Sequence, residues 1–216
     1  MIARPDRRRA LAAALAVAAG MLARRAAAED PAAPLVAAVA ARLAHPPVLR
    51  GRFEQDKRIA GFKQALHSRG EFLLAAGAGV IWTTREPFAA ELRLSRDALV
   101  STQDGAVVMS LDAAREPGLR AINQLLFALL AGDVATLARQ FRVAGSTAAE
   151  GWSLTLTPLD PGMAKVLTTI ALTGDTLVRT VDLDEANGDH THLRFLDLGS
   201  TPDALTAAER ARFDAR

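Results

Sequence analysis

From Val48 to Leu198 most of the chain is written in short runs of alternating apolar side chains, cut by Gly, Pro, Asp-Gly and Asn-Gly. A period of two puts every second side chain on the same face of a strand, which builds sheets with one dry face and one wetted face. The spacing predicts strands over Val48–Arg58, Gln64–Ala75, Gly79–Thr84, Phe88–Leu94, Asp97–Ser101 and Ala106–Ser110. A second set falls over Gln140–Ala144, Trp152–Thr157, Val166–Thr173, Thr176–Leu183 and His190–Leu198. Short breaks at Gly61, Gly77, Pro87 and Asp104-Gly105 make the first set a meander of antiparallel hairpins.

Elsewhere the period is helical. Asp30 can cap and Pro31 can open a helix in which Leu35, Val36, Val39 and Leu43 share a face, and His45-Pro46-Pro47 stops it. Between the strand sets, LRAINQLLFALLAG follows Pro117-Gly118 and lays Ile122, Leu125, Leu126, Leu129 and Leu130 along one side. Asp133 can then cap a short helix running to Arg139, and Thr206 stands three residues before Glu209 as a capping pair for a final helix. The total is one α+β domain of about eleven strands. A meander this long curls because strands twist, and helices on its concave side would cover an apolar interior. That interior is either a filled core or a cavity, since both demand alternating Leu, Val and Phe.

The first 28 residues are of another kind. A basic segment, ARPDRRR, precedes the apolar run Ala10–Ala23, and Ala26-Ala27-Ala28 stand before Glu29. This is the order of a secretory signal peptide, with 29–216 as the mature domain. The run of 14 residues is short of the ~20 that span a bilayer. The leader also explains the basic pI: without its six Arg and one Asp, the 26 basic and 24 acidic residues leave a net charge of −3. A mildly acidic body has no footprint for nucleic acid. The sequence has no Cys, hence neither disulfides nor a lipid-bearing Cys at the cleavage site. The expected location is the periplasm.

Catalytic hardware is sparse. His190 and His192 share a strand face and could reach one ion with Asp182 or Asp184, but a third ligand is only guessed, so the expectation is no metal and an exposed face carrying His–Asp hydrogen bonds. Ser68 and His67 are adjacent and point to opposite faces, and no G-x-S-x-G turn is present. The expectation is therefore a protein that is not an enzyme and needs no cofactor. Gln55 and Lys57 could meet a headgroup or a donor protein at a rim, although a solvated edge explains them as well.

Three groups of residues carry a resemblance: Phe53-x-Gln55-x-Lys57, Ser68-x-Gly70-x-Phe72, and Trp82 with Pro87-Phe88. Together with the helical insert and the second strand set, they make roughly Leu35 to Leu198 similar to the LolA-like periplasmic lipoprotein carriers. The resemblance implies an incomplete antiparallel β-barrel with a helical lid over an apolar cavity. It also implies a monomer that takes an acylated lipid or lipoprotein from an inner-membrane donor to an outer-membrane acceptor. The carriers place an Arg-Pro pair directly after the second strand, where this chain has Ala75-Ala76-Gly77-Ala78, so the chain looks like a divergent branch, similar to those associated with aryl-polyene-type lipids. On this reading Phe53, Phe72, Leu74, Val80, Trp82, Phe88, Leu92 and Leu94 face the cavity, and Leu126 and Phe127 touch it from the insert helix. The alternative is a non-transporting periplasmic module that binds protein or glycan on the surface of the same fold, its interior filled.

Overall fold

The computed structural model describes residues 31–95, 98–112, 127–128 and 132–214. Eleven strands form one sheet: β1 (Val48–Arg58), β2 (Leu66–Ala75), β3 (Gly79–Glu86), β4 (Ala90–Leu94), β5 (Ala98–Gln103), β6 (Ala106–Asp112), β7 (Phe141–Thr147), β8 (Trp152–Pro158), β9 (Leu167–Gly174), β10 (Val178–Glu185) and β11 (His190–Gly199). The spatial order is β6-β5-β4-β3-β2-β1-β11-β10-β9-β8-β7, and every neighbouring pair is antiparallel. Two meanders, β1–β6 and β7–β11, thus meet at a single seam where β1 pairs with β11, and β6 and β7 are the two ends of an unclosed sheet.

Each predicted strand is present, with shifted ends. The second begins at Leu66 and the fourth at Ala90. Pro87 has no N–H for a ladder, so Pro87, Phe88 and Ala89 form the connection and β4 starts beyond them. The tight turns use the residues that positive φ demands: Asp104 and Gly105 lie at φ 50° and 78° between β5 and β6.

Helix α1 (Ala33–Ala40) ends earlier than its apolar spacing suggests, where the N–H groups of Arg42 and Leu43 both return to the Val39 carbonyl. Helix α2 (Val134–Gln140) is capped as expected, because the Asp133 carboxylate accepts the Thr136 N–H at 3.0 Å. Burial pushes the Asp133 carboxyl up, but the Thr136 hydroxyl and N–H outweigh it and hold the group below its ordinary range. Asp133→Ala should lower stability by about 1 kcal/mol, read from urea unfolding, with Asp133→Asn retaining most of it.

Helix α3 (Ala207–Asp214) carries the predicted capping pair: the Glu209 N–H donates to Thr206 Oγ1 at 3.2 Å and the Thr206 N–H donates to Glu209 Oε2 at 2.8 Å. Leu205 and Phe213 pack on Val48, Leu73, Ala75 and Ile81. These four side chains project from the sheet face opposite to Leu49 and Leu74, so α3 covers the outer face rather than the concave one. An apolar patch at one end of a face read as wetted is what calls it there. Of the insert, only Phe127 and Ala128 are described, both in helical conformation; Leu126 lies outside the described residues. The described residues from Pro34 onward form one compact unit.

The two faces differ sharply in chemistry. On the second meander the concave face is a dry core, with Leu154, Leu156, Ile170 and Leu172 at most 1% exposed. The outer face is a charge ladder. Glu54 pairs with Arg194 and Arg69 with Glu86 across neighbouring strands, His192 Nδ1 meets Asp182 at 2.7 Å, and His190 Nδ1 meets Asp184 at 2.8 Å. The His–Asp hydrogen bonds expected on that face are therefore present.

Candidate functional site

The concave side of β1–β4 is built from two rows of register partners. Leu49, Leu74, Val80 and Leu94 form the row nearest the Ala76-Gly77 turn, and Gly51, Phe72, Trp82 and Leu92 form the next. Leu49, Leu74, Val80 and Leu94 are buried, while Trp82 and Leu92 are half-buried.

Four aromatic rings gather in the middle of this face. Phe53 stacks on Trp82 with centroids 4.0 Å apart, Phe72 lies 5.9 Å from Trp82, and Phe195 meets Phe72 and Trp82 edge-on at 5.3 and 6.2 Å. Two glycines make room for them. Phe53 is the register partner of Gly70, and Gly51 that of Phe72. A Cβ on Gly70 would lie 2.8 Å from the Phe53 ring, and one on Gly51 would lie 2.7 Å from the Phe72 ring. The pattern is reciprocal: Gly51-x-Phe53 on one strand opposes Gly70-x-Phe72 on the next, and each ring lies over the glycine of the other strand.

Beyond the first row the packing opens into a half-enclosed cavity of about 230 Å³. Leu49 and Leu74 form its floor, Leu43, the helical Phe127 and Gly132 one side, Leu177 and Val178 its far wall, and His45, Pro46, Ala76 and Gly77 its rim. Its surface is mainly carbon, and among the described residues the one titratable side chain at it is the exposed His45. Such a space excludes water from its floor. Its chemistry is solvation of hydrocarbon. Among the described residues no three His, Asp or Glu side chains are placed to hold a metal ion.

Of the residues singled out from sequence, the structure places Leu74 and Phe127 on the cavity, with Val80 and Leu94 beside Leu74 in the same row. It gathers Phe53, Phe72 and Trp82 in the aromatic cluster, with Leu92 across from Trp82. Phe88 does not join them: it sits in the β3–β4 connection, 72% exposed, because the strand starts two residues later than its apolar pattern implied. Sequence reasoning missed Phe195 and the far wall, Leu177 and Val178. Alternation in β11 pointed to Phe195, but nothing local showed that the last strand lies against the first.

No helix among the described residues is long and apolar enough to cross a membrane. No curated protein sequence matches the chain. Among solved structures, it is similar to the LolA superfamily protein NE2245 from Nitrosomonas europaea, at 11% identity and TM-score 0.43, over 77% of this chain and 92% of that one. It is similar also to a domain named for outer-membrane lipoprotein sorting from Vibrio parahaemolyticus, at 12% identity and TM-score 0.43, over 84% and 97%. A third is a DUF1329 family protein from Desulfovibrio piger, at 8% identity and TM-score 0.43, over 81% and 93%. The family described as outer membrane lipoprotein carrier protein LolA-like matches residues 26–213, nearly the whole length, and the chain belongs to that family.

Proposed function

We propose that the chain is a periplasmic carrier that holds acyl chains of a lipid or lipoprotein at the cavity and passes them, without catalysis, from an inner-membrane donor to an outer-membrane acceptor. The observation that carries this reading is the carbon-lined cavity at the end of the concave face, bounded on one side by the helical residue Phe127 and the turn residue Gly132. Residues 1–28 act as the cleaved export signal, and the mature chain works as a monomer.

Each methylene moved from water to such a surface contributes about 0.8 kcal/mol. The cavity of about 230 Å³ is below the roughly 300–1,000 Å³ of typical small-molecule pockets, so loading a long chain requires the helical side to move outward. Release then requires only a partner that offers a better site.

Ala44 and Ala76 are exposed and border the cavity, so Trp can be placed at either without disturbing the buried rows. Ala44→Trp and Ala76→Trp should each weaken uptake of a fluorescent long-chain fatty acid tenfold or more while leaving the melting temperature within about 2 °C. Unchanged uptake in both variants would remove the cavity from the reading. No uptake by the parent chain, whether purified with or without added lipid, would favour a surface-binding module with a filled interior.

A further inference from the structure

The walls of the cavity are not held alike. Its floor residues, Leu49 and Leu74, are register partners in the β1–β2 ladder, and on the far wall Val178 pairs with Gly174. Gly132 is anchored through α2, which begins two residues later and buries Val134 and Leu137. Leu43 has neither a ladder nor a helix of its own. It sits in a strap of residues 41–45, between the end of α1 and the Pro46-Pro47 pair that leads into β1.

Leu43 is the one buried residue of the strap, while Ala41, Arg42, Ala44 and His45 are exposed. Its side chain reaches the turn before α2, where a Cβ on Gly132 would stand 3.2 Å from Leu43 Cδ1. Gly132 lies at φ 66°, so the backbone there favours glycine and leaves a seat for the leucine. The strap itself is tied to two turns of the second meander. The Arg42 guanidinium donates from Nη1 to the Ala148 carbonyl and, at 3.0 Å, to the Gly151 carbonyl in the β7–β8 turn. The Ala44 N–H donates to the Thr176 carbonyl of the β9–β10 turn at 2.8 Å. Arg42, Ala44 and Thr176 are all exposed, so water replaces these bonds at small net cost.

We propose that the strap is the gate of the cavity: Leu43 closes it when it is empty, and an acyl chain enters and leaves as Leu43 swings out. The proposal rests on the carrier reading and adds the residues that set the rate of exchange. Opening here breaks no strand pairing, whereas widening the floor or the far wall would cost ladder hydrogen bonds. The hydrocarbon that Leu43 withdraws is replaced by hydrocarbon of the cargo, which offsets the loss of Leu43 from the same surface. Arg42 is a positioning residue. It holds the closed strap without touching the cargo, and the two prolines, with their fixed φ angles, confine the movement to the residues before them.

The absence of Cys allows the gate to be locked and unlocked in one molecule. Ala44 and Thr176 are exposed and joined by a backbone hydrogen bond, so Ala44→Cys with Thr176→Cys sets two thiols where a disulfide can tie the strap to the turn. The full chain is mixed with the fluorescent long-chain fatty acid, and uptake is followed in time, then release into excess unlabelled fatty acid. The oxidised pair should take up the probe at least tenfold more slowly than the parent, and dithiothreitol should restore the parent rate. Arg42→Ala should act in the opposite sense, because Arg42 holds the strap in the empty and the loaded protein alike. Its uptake and release rates should each rise about fivefold, with the Kd within twofold of the parent. A residue that served folding alone would not raise both rates at constant affinity. Unchanged uptake in the oxidised pair, or parent rates in Arg42→Ala, would overturn the gate and leave the carrier reading standing. A parent chain that takes up no probe would overturn both.

Discussion

Gly70→Ala should cost about 3 kcal/mol of stability, at the upper end of what overpacking does, and should scatter the aromatic cluster. The added Cβ has two obstacles at once, the Thr83 carbonyl at 2.0 Å and the Phe53 ring at 2.8 Å. The carbonyl belongs to the neighbouring strand and cannot yield without breaking the β2–β3 register, so this is not a clash that a flexible side chain absorbs. If the protein survives, Phe53 must leave the position in which it stacks on Trp82. Urea unfolding measures the first effect, and Trp fluorescence or near-ultraviolet circular dichroism of the folded state reads the second. A Gly70→Ala protein with wild-type stability and an unchanged Trp spectrum would mean that the rings are not held by the glycines beneath them.

Glu209→Gln should be the next largest loss, about 2 kcal/mol, within the range of hydrogen bonds to charged groups. Arg50 reaches out from the seam strand and grips Glu209 with two donors, Nε at 2.7 Å and Nη2 at 2.8 Å, while its Nη1 donates to the Pro202 carbonyl at 2.7 Å. Hydrogen bonding from Arg50 leads the causes that lower the Glu209 carboxyl from 4.5 to about 2. A carboxylate whose folded value lies below its unfolded one stabilises the native state above the unfolded value and loses that contribution as pH falls through the folded one. The clamp should therefore be whole above pH 4.5 and lost as the pH falls through about 2. Unfolding at pH 7 and pH 3 should show a steeper loss in the parent than in Glu209→Gln, and parallel slopes would show that the pair contributes nothing to folding.

How far the fold was legible follows from which rules are local. Strand positions, the Asp133 cap and the Thr206–Glu209 pair are written within three or four residues of themselves, and each appears where its spacing puts it. Phe88 misled because its apolar character continued the pattern of β4 backward through a proline, and the missing N–H of Pro87 decided the strand start instead. The placement of α3 was illegible because its dock on Val48, Leu73, Ala75 and Ile81 is assembled from three strands that all read as half-wetted. The glycine seats could have been found: Gly51-x-Phe53 and Gly70-x-Phe72 are the same triplet, and antiparallel pairing sets each Phe over the other Gly. Whether the dry face is filled or hollow depends on volumes summed over eleven strands, and no window of sequence contains that sum.

The seam between β1 and β11 also fixes an order of assembly. The first strand finds one neighbour at once, in β2, but its other neighbour is the last strand to be made, with Phe53 waiting for Phe195 and Arg50 for Glu209. Every earlier strand can be present while the aromatic cluster still lacks one ring and β1 still shows an open edge. Such an edge is a template for pairing with another chain. Joining elements so far apart in sequence is slow, because the closure of a long loop precedes the contacts that reward it. A chain that stops short of His190 would therefore be more than a protein missing its tail. It would be two half-sheets without the strand that pairs them, and a newly made chain passes through that condition every time.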